Sequence, residues 1–497
     1  MGRCIGFGNS GKILLIQKKD DCIEENEMIG IESFGAYVPI HRLTFEDIGK
    51  AWGVRSGKGE RSVAAEDEDS LTMAVEAAVD CLGTTERKTV DGVIFASTTS
   101  PFLEKQAAVL IGQAVDFPRE ISTLDCSGSL RAGTGALMTG MNSVASGNNK
   151  KVLVTTADCR IGQPGTPFEY ALGDGGAAFL IGNEDPVVRF VGSYSLAEEI
   201  TDYWRRSEDK YVHFWEERFA IGEGVARIVP NAVEKALNKF DRRVEDIAKF
   251  ISNAPNEKTY WGIAKRIGFD LTRQVLPPHY ATMGNTGAAF GPMQLVSCLE
   301  NAKPKDLILF ANFGNGCDVL LMEVVKETGA SNGRRGMSGY LASKKKLRNY
   351  NQYAIYRGIL PGRTDRMPPI LPSSTIIWRD QKSLLQFHGM KCNNCGHVQY
   401  PIHRVCSNCS TTDEYQEVRL SDQNAKVFSC TVDNLGYGSG KTPFWAIADF
   451  PDVRVRLQIA DAELAEVNVG DMLEMTFRKL PSENDIPVYG WKARRIR

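Results

Sequence analysis

Two sets of cysteines carry most of the chemistry this sequence can advertise. The first is a single residue, Cys126, in S-T-L-D-C-S-G-S-L-R-A-G (Ser122–Gly133). A strand-like approach precedes it, and a run of small residues suited to a helix N-terminus follows. A thiol at that place is expected to feel the partial positive charge of the helix end, which lowers its pKa and stabilises the thiolate nucleophile. Ser127, Gly128 and Ser129 leave room for an acyl group and let backbone N–H groups reach a thioester oxygen. The competing reading is a buried free cysteine, the usual state of a lone thiol.

The second set is Cys392-x-x-Cys395, ten intervening residues, then Cys406-x-x-Cys409. Two such knuckles joined by a short hairpin-like segment close a tetrahedral Zn²⁺ site, and four thiolates leave no open position, so the metal is structural. Two disulfides or four free thiols are the alternative. His397 and His403, between the knuckles, read as bystanders. Gly6–Lys12 (G-F-G-N-S-G-K) has Walker-type glycine and lysine spacing, but Ile13 stands where a phosphate loop needs the Mg²⁺-binding hydroxyl, and no strand leads into it.

The elements that must position these residues follow from the apolar pattern. After Met28, strand candidates at Val90–Ser97, Lys151–Thr156 and Ala177–Ile181 alternate with helices at Ser70–Leu82 and Leu130–Ser146. A second series has strands at Val187–Ser193, Lys249–Ser252, Asp306–Ala311 and Val319–Val324, with helices at Gly222–Lys239 and Gly287–Glu300. Alternation of this kind predicts an α/β fold with a mainly buried sheet. The two series share one order of elements, a duplication rhythm that places a site between halves. Residues 329–385 read as a linker: a Gly/Ser/Arg stretch, a basic helix over Ser343–Tyr356, then proline-punctuated Pro361–Ser374. Beyond the cysteine cluster, strands at Ala425–Asp433, Phe444–Phe450, Val453–Ile459, Met472–Arg478 and Val488–Arg497, with a turn at Gly436–Gly440 and a short helical piece in Ala462–Gly470, predict a small OB-like barrel.

The totals narrow the class. The 497 residues allow several domains; 42% are hydrophobic, 24% charged, and the net charge is −2. That balance gives no reason to expect nucleic acid or an anionic membrane as partner. No apolar run approaches about 18 residues, so no spanning helix is expected. Eight of the twelve cysteines are scattered singly, as suits reduced thiols in a cytoplasmic protein.

Assembled in order, these residues resemble the thiolase superfamily, in particular the 3-hydroxy-3-methylglutaryl-CoA (HMG-CoA) synthase type of archaea and bacteria. The likeness is carried by M-I-G-I-E-S-F-G-A-Y-V-P, A-A-E-D-E-D-S-L-T-M-A-V-E-A-A, the Cys126 segment, D-Y-W-R-R-S-E-D-K-Y (Asp202–Tyr211), N-A-P-N-E-K and M-G-N-T-G-A-A-F. Residues 380–497 resemble the zinc-ribbon/OB-fold module that accompanies such enzymes as a separate subunit. The resemblance implies a duplicated five-layered α-β-α-β-α fold followed by a zinc ribbon and a small OB-like barrel. Its divisions are an N-terminal extension (1–27), two thiolase-like halves (28–185 and 186–328), the linker (329–385), the ribbon (386–415) and the OB domain (416–497).

The implied activity is C–C bond formation or cleavage on CoA thioesters through an acyl-Cys126 intermediate. Backbone N–H groups near Cys126 and in the Gly314–Gly316 loop would form the oxyanion hole. The resemblance also implies a homodimer, within a larger thiolase-type assembly in some cases. Two departures qualify it. Asn253 stands where HMG-CoA synthases place a histidine, and Thr98, in A-S-T-T-S, stands where they place a general-base glutamate. Asn253 instead resembles the oxyanion-hole asparagine of thiolases. Asn285 matches the family, His279 is the candidate to activate Cys126, and Cys317 lies near the second, proton-transferring cysteine of thiolases. An exposed loop histidine and a buried strand-start thiol are the alternatives for the last two. A CoA-binding scaffold without catalysis and a retro-aldolase acting on a CoA thioester are the alternative functions.

Overall fold

The computed structural model describes residues 28–328, 333–361, 374–433, 443–480 and 486–497. The predicted extension at 1–27, the Gly6–Lys12 loop, the Gly436–Gly440 turn and most of Pro361–Ser374 lie outside them.

The first half builds β1 (Gly30–Tyr37), α1 (Ser70–Leu82), β2 (Gly92–Ala96), β3 (Ser122–Cys126), α2 (Ala132–Ala145), β4 (Val152–Cys159) and β5 (Asp174–Gly182). The second builds β6 (Val188–Ala197), α3 (Ala226–Lys239), β7 (Lys249–Ser252), α4 (Phe290–Leu299), β8 (Leu307–Phe313) and β9 (Gly316–Val324). Strand order runs β7-β8-β9-β6-β1-β5-β4-β2-β3. The duplication is explicit in the pairing. In each half the first strand lies antiparallel to the last, the last to the one before it, and that one parallel to the second. Where the first half adds β3, the second has one isolated bridge from Phe250 to Val275. The half-sheets meet through the pairs Gly30–Arg189 and Ile31–Val188.

Helices fill three layers around the two half-sheets. α1 packs on β1 and β5, α3 on β6 and β9, and α2 and α4 lie between the halves. The central layer is tight: a Cβ on Gly133 would stand 2.8 Å from the Ala288 carbonyl oxygen and from Pro292 Cγ. The strands are near-continuous Val/Ile/Leu/Ala/Phe runs because helices cover both faces. β6, half-exposed along its length, is one exception and β3 is the other. It is the sheet edge, bonded only to β2, with Leu124 41% exposed.

The stretch 343–356 is not one helix. α5 (Gly336–Ala342) packs on β1 and α4, Lys345–Lys346 adds to the strand His41–Thr44, and only α6 (Tyr350–Tyr356) is helical beyond it. Asn349 caps α6 by accepting from Gln352 N, which explains why the lysine run falls outside the helix.

Five strands close the chain: β10 (Ala425–Val432), β11 (Phe444–Asp449), β12 (Arg454–Gln458), β13 (Met472–Leu480) and β14 (Val488–Arg495), in the order β12-β11-β10-β13-β14. A bridge from Ile459 to Ala493 brings the two edges together, giving a barrel.

The barrel sits on α1, and buried charges make the seam. Glu76 accepts from Thr476 Oγ1 (3.0 Å) and Phe477 N (2.8 Å) and pairs with Arg494 (2.8 Å). Arg478, with no exposed surface, pairs with Glu68 (2.6 Å) and Asp461 (2.7 Å). Asp69, the N-cap of α1, accepts from Tyr489 Oη (2.8 Å), and Lys492 meets Asp67 (2.7 Å). Twelve of the thirteen residues of α1 are buried because sheet and barrel cover opposite sides of it. Removing one partner of such a pair leaves a desolvated charge, at a cost of about 3–5 kcal/mol. Arg494→Met is therefore expected to lower the thermal unfolding midpoint by several degrees and to open the seam to limited proteolysis. An unchanged midpoint would show that the seam charges carry no stability.

Candidate active site

Cys126 is the last residue of β3. Register places it beside Ala96 at the end of β2, and Ala96 beside Thr156 in β4. The carbonyl of Cys126 accepts from Ser97 N (3.0 Å). The chain then turns through Gly128, at φ +84°, and α2 begins at Ala132. This corrects the expected electrostatics. The sulfur lies six residues ahead of the first helical residue, Arg131 occupies the N-cap, and no cation offsets desolvation. Burial, reinforced by the neighbouring Asp125 carboxylate, pushes the Cys126 thiol above its ordinary 9.0. The Asp125 carboxylate is itself held by the N–H groups of Ala107 (2.7 Å) and Ala108 (2.9 Å).

From Cys126 a closed circuit of contacts runs around the facing strand ends. Ser129 Oγ donates to the Gly314 carbonyl (3.1 Å). A Cβ on Gly314 would come within 2.7 Å of Ser129 Oγ and 2.8 Å of Arg131 N, so the approach requires glycine. Gly316 requires it too: its φ is +116° and a Cβ would strike the Leu196 carbonyl. Asn253 and Phe313 exchange two hydrogen bonds, Phe313 N to Oδ1 (2.6 Å) and Nδ2 to the Phe313 carbonyl (2.8 Å).

Asn285 comes next. Its Nδ2 donates to the Ala254 carbonyl (3.2 Å), and its Oδ1 accepts from Gly287 N (2.9 Å) and Arg160 Nη2 (3.0 Å). The circuit closes at Asp158, which has no exposed surface. Its carboxylate accepts from Ala288 N (2.8 Å), Ser97 Oγ (2.9 Å), Thr98 N (2.7 Å), Thr98 Oγ1 (2.8 Å) and Thr99 Oγ1 (2.9 Å). Ser97 is the residue bonded to Cys126.

The circuit thus brings together Cys126, Asn253, Asn285, Thr98 and Gly314 and adjoins Gly316. His279 stands outside it: its Nε2 lies 3.0 Å from Ser297 Oγ on α4, and burial lowers its pKa below 6.5. Cys317 is fully buried at the start of β9, its Sγ 3.7 Å from the Asp318 carbonyl, and burial raises its thiol far above the ordinary range. Sequence reasoning did not single out Asp158, Arg160 or Asp202. Asp202 is 7% exposed, and burial raises its carboxyl to about 6 against hydrogen bonds from backbone N–H groups. Its signal was present, since it opens the D-Y-W-R-R-S motif, but no spacing rule marks a carboxylate that folding will bury.

In the ribbon, Cys392 Sγ lies 3.6 Å from Cys409 Sγ and Cys395 Sγ 3.6 Å from Cys406 Sγ, with all four sulfurs within 4.8 Å of one another. Sulfurs at 2.3 Å around a tetrahedral Zn²⁺ stand about 3.8 Å apart, so the four fit the ion. Residues 386–414 match the family model described as ChsH2, rubredoxin-like zinc ribbon domain.

The duplicated halves of the sheet define a thiolase fold, with Cys126 at the end of an edge strand. Solved structures agree: an HMG-CoA synthase complexed with CoA (TM-score 0.60, 18% identity, 70% of this chain and 94% of that one), and the β-ketoacyl-[acyl carrier protein] synthase III of Thermus thermophilus (0.53, 22%, 60% and 99%). Among curated proteins, the hydroxymethylglutaryl-CoA synthase of Thermococcus gammatolerans is 32% identical over 334 residues, 66% of this chain and 95% of that protein. That of Methanocaldococcus jannaschii is 30% identical over 341 residues, 66% and 99%. The chain belongs to the hydroxymethylglutaryl-CoA synthase family, an acyltransferase family, with a zinc ribbon and barrel as additional parts.

Because the resting thiol is raised, alkylation of Cys126 by iodoacetamide, followed on its tryptic peptide, is expected to keep accelerating as pH rises past 9. A plateau reached below pH 8 would mean that a cation stabilises the thiolate after all.

Proposed function

We propose that Cys126 takes an acyl group from a CoA thioester and that the acyl group is joined to, or released from, a second CoA thioester by C–C bond formation or cleavage. The observation that carries this reading is the circuit itself: one part-buried thiol at a strand end, tied through hydrogen-bonded backbone and side chains to the segments that carry Asn253, Asn285, Gly314 and Gly316. In acylation the Cys126 sulfur attacks the thioester carbonyl, the oxygen takes negative charge against N–H donors, and the CoA thiolate leaves with the electron pair. The named activity of the curated relatives and the CoA complex of a solved neighbour support this substrate class.

A raised thiol needs a base. Thr98 and Asn253 do not titrate near neutrality, and the Thr98 hydroxyl is committed to Asp158. Asp202, its carboxyl raised to about 6 by burial and close enough to Arg160 for their charges to interact, is a candidate on the Asn285 side of the circuit. His279 is neutral at pH 7 and is the second candidate. Cys317, kept protonated by burial, would serve only as a proton donor.

The homodimer belongs to the same reading. β3 is an edge strand with Ser122 and Leu124 toward solvent, and pairing it with β3 of a second copy would cover the strand that ends in Cys126. None of the ten described cysteines is joined in a disulfide, which supports a cytoplasmic setting.

Incubation with short acyl-CoAs is expected to leave an acyl adduct on Cys126, seen by intact mass and absent in Cys126→Ala. Acylation should fall as pH drops through about 6, because protonated Asp202 cannot act as base. Asp202→Asn should slow it by about 10²–10⁴ and abolish that inflection. The same loss in His279→Ala, with Asp202→Asn unaffected, would transfer the role to the histidine. No adduct from any acyl-CoA would favour the scaffold.

A further inference from the structure

The seam between α1 and the barrel holds a cavity of about 450 Å³. It lies away from Cys126. Ser70, at the start of α1, donates to the Thr99 carbonyl (2.7 Å) at the site end of the helix. The cavity opens around Asp80 and Gly83, about 15 Å further along the helix axis. Three chain segments wall it: the end of α1 with the loop to Arg87, the approach to α5 at Arg334, and the lead into β10 at Ser421. Four carboxylates line it, and each is already matched. Glu76 and Glu474 are held by Arg494 (2.8 Å to each), and Glu474 also by Arg335 (2.9 Å). Asp80 accepts from the N–H groups of Ala36 (3.0 Å), Arg335 (2.6 Å) and Gly336 (3.1 Å), and Asp422 pairs with Arg419 (2.9 Å). Two cations and one hydroxyl are left over. Arg334 donates to the Phe34 carbonyl (3.2 Å) and lies 4.2 Å from the centroid of that ring. Among the described residues it forms no ion pair within 4 Å. Arg87 donates to the carbonyls of Thr85 and Gly83 (both 3.3 Å) and stands 3.7 Å from Asp422, while its Nε is buried without a partner. Ser421 is 7% exposed, and its Oγ too is buried without a partner. Burial lowers the pKa of Arg87 in spite of Asp422, as it does for a cation with too little opposing charge. Both guanidiniums lie within electrostatic reach of Cys81, so they converge on one side of the cavity.

We propose that this cavity binds a small phosphorylated molecule, its phosphoryl oxygens taken by Arg87, Arg334 and Ser421. Buried donors without acceptors are rare in folded proteins, and an incoming oxyanion satisfies the ones left here. The three donors come from three separate segments. A tetrahedral phosphoryl group offers acceptors in several directions at once, whereas a carboxylate offers them in one plane. Guanidinium groups are the side chains best shaped for such an anion. The volume falls within the range of small-molecule sites, about 300–1,000 Å³, and leaves room for more than the anion alone. Because the ligand would touch α1, α5 and the barrel together, its binding clamps the seam. The inference does not depend on the acyl-Cys126 reading.

Inorganic pyrophosphate is the probe, added to the full chain in saturating CoA so that phosphate-binding groups at the acyl-transfer site are already filled. It is expected to bind by calorimetry and to raise the thermal unfolding midpoint. Arg87→Gln and Arg334→Gln should each weaken binding at least fivefold, and the double variant at least twentyfold. Lys265→Gln, an equal change of charge on the exposed side of the helix Glu257–Ile267, should alter it less than twofold. In the unmodified chain, pyrophosphate should slow amide hydrogen exchange at 83–87, 334–340 and 421–424. No binding in the presence of CoA, full affinity in the double variant, or an equal loss in Lys265→Gln overturns the proposal. Absence of protection in those three segments overturns it even if the arginine variants fail to fold. None of these readouts involves an adduct on Cys126, so a failure here leaves the acyl-transfer reading standing, and the reverse.

Discussion

The active-site architecture depends on one carboxylate held out of water. Asp158 accepts five hydrogen bonds from four residues, three of them in the loop after β2 and one at the turn leading into α4. A buried carboxylate is tolerated only when its lone pairs are satisfied, and here satisfaction requires both loops in one arrangement. A Cβ on Gly287 would meet Asp158 Oδ2 at 2.3 Å, so that turn approaches as closely as backbone can. Through Ser97 the same carboxylate reaches the carbonyl of Cys126, and through the turn it sets the position of Asn285. Cys126 belongs to one half of the duplicated fold and Asn253 and Asn285 to the other; Asp158 is one of the contacts that fasten the halves there, with the Ser129–Gly314 hydrogen bond.

The fold was legible from residues because it is built of long, strongly patterned pieces. α1 falls at Ser70–Leu82 and β7 at Lys249–Ser252, as the pattern predicts, since Asp69 with Thr72 marks a helix start and short β-branched or aromatic runs mark strands. The ribbon was legible for another reason: four thiols at fixed spacing admit few geometries. The stretch 343–356 misled because its charge run imitates a solvated helix face, whereas the sheet edge at His41–Thr44 recruits Lys345–Lys346 as a strand. Tertiary pairing overrode local propensity there.

The site was legible as a set of positions and less so as chemistry. Cys126, Asn253 and the glycines at 314 and 316 fall together because each lies at or beside the end of a strand of the duplicated sheet, and Asn285 joins them from a loop bridged to Leu172. The ionisation of Cys126 did not follow from its neighbours in sequence. A run of small residues suggested a helix end at the sulfur, but the turn through Gly128 displaces α2, and burial then dominates. Asp158, Arg160 and Asp202 stayed hidden for the same cause. What distinguishes them is desolvation, a property of the folded surroundings that no spacing encodes.

The seam between α1 and the barrel bears on how this chain is made. Thr476 and Glu76, which meet there, are 400 residues apart in sequence. A ribosome adding about 5–20 residues each second exposes Glu68 and Glu76 long before Arg478 and Arg494 exist to neutralise them. Until translation reaches the barrel, the first half must keep those carboxylates hydrated or protonated, and α1 cannot settle between its two final neighbours. Maturation of the thiolase-like part is thus tied to the last strands synthesised, and a truncated nascent chain would hold Cys126 without the finished scaffold around it.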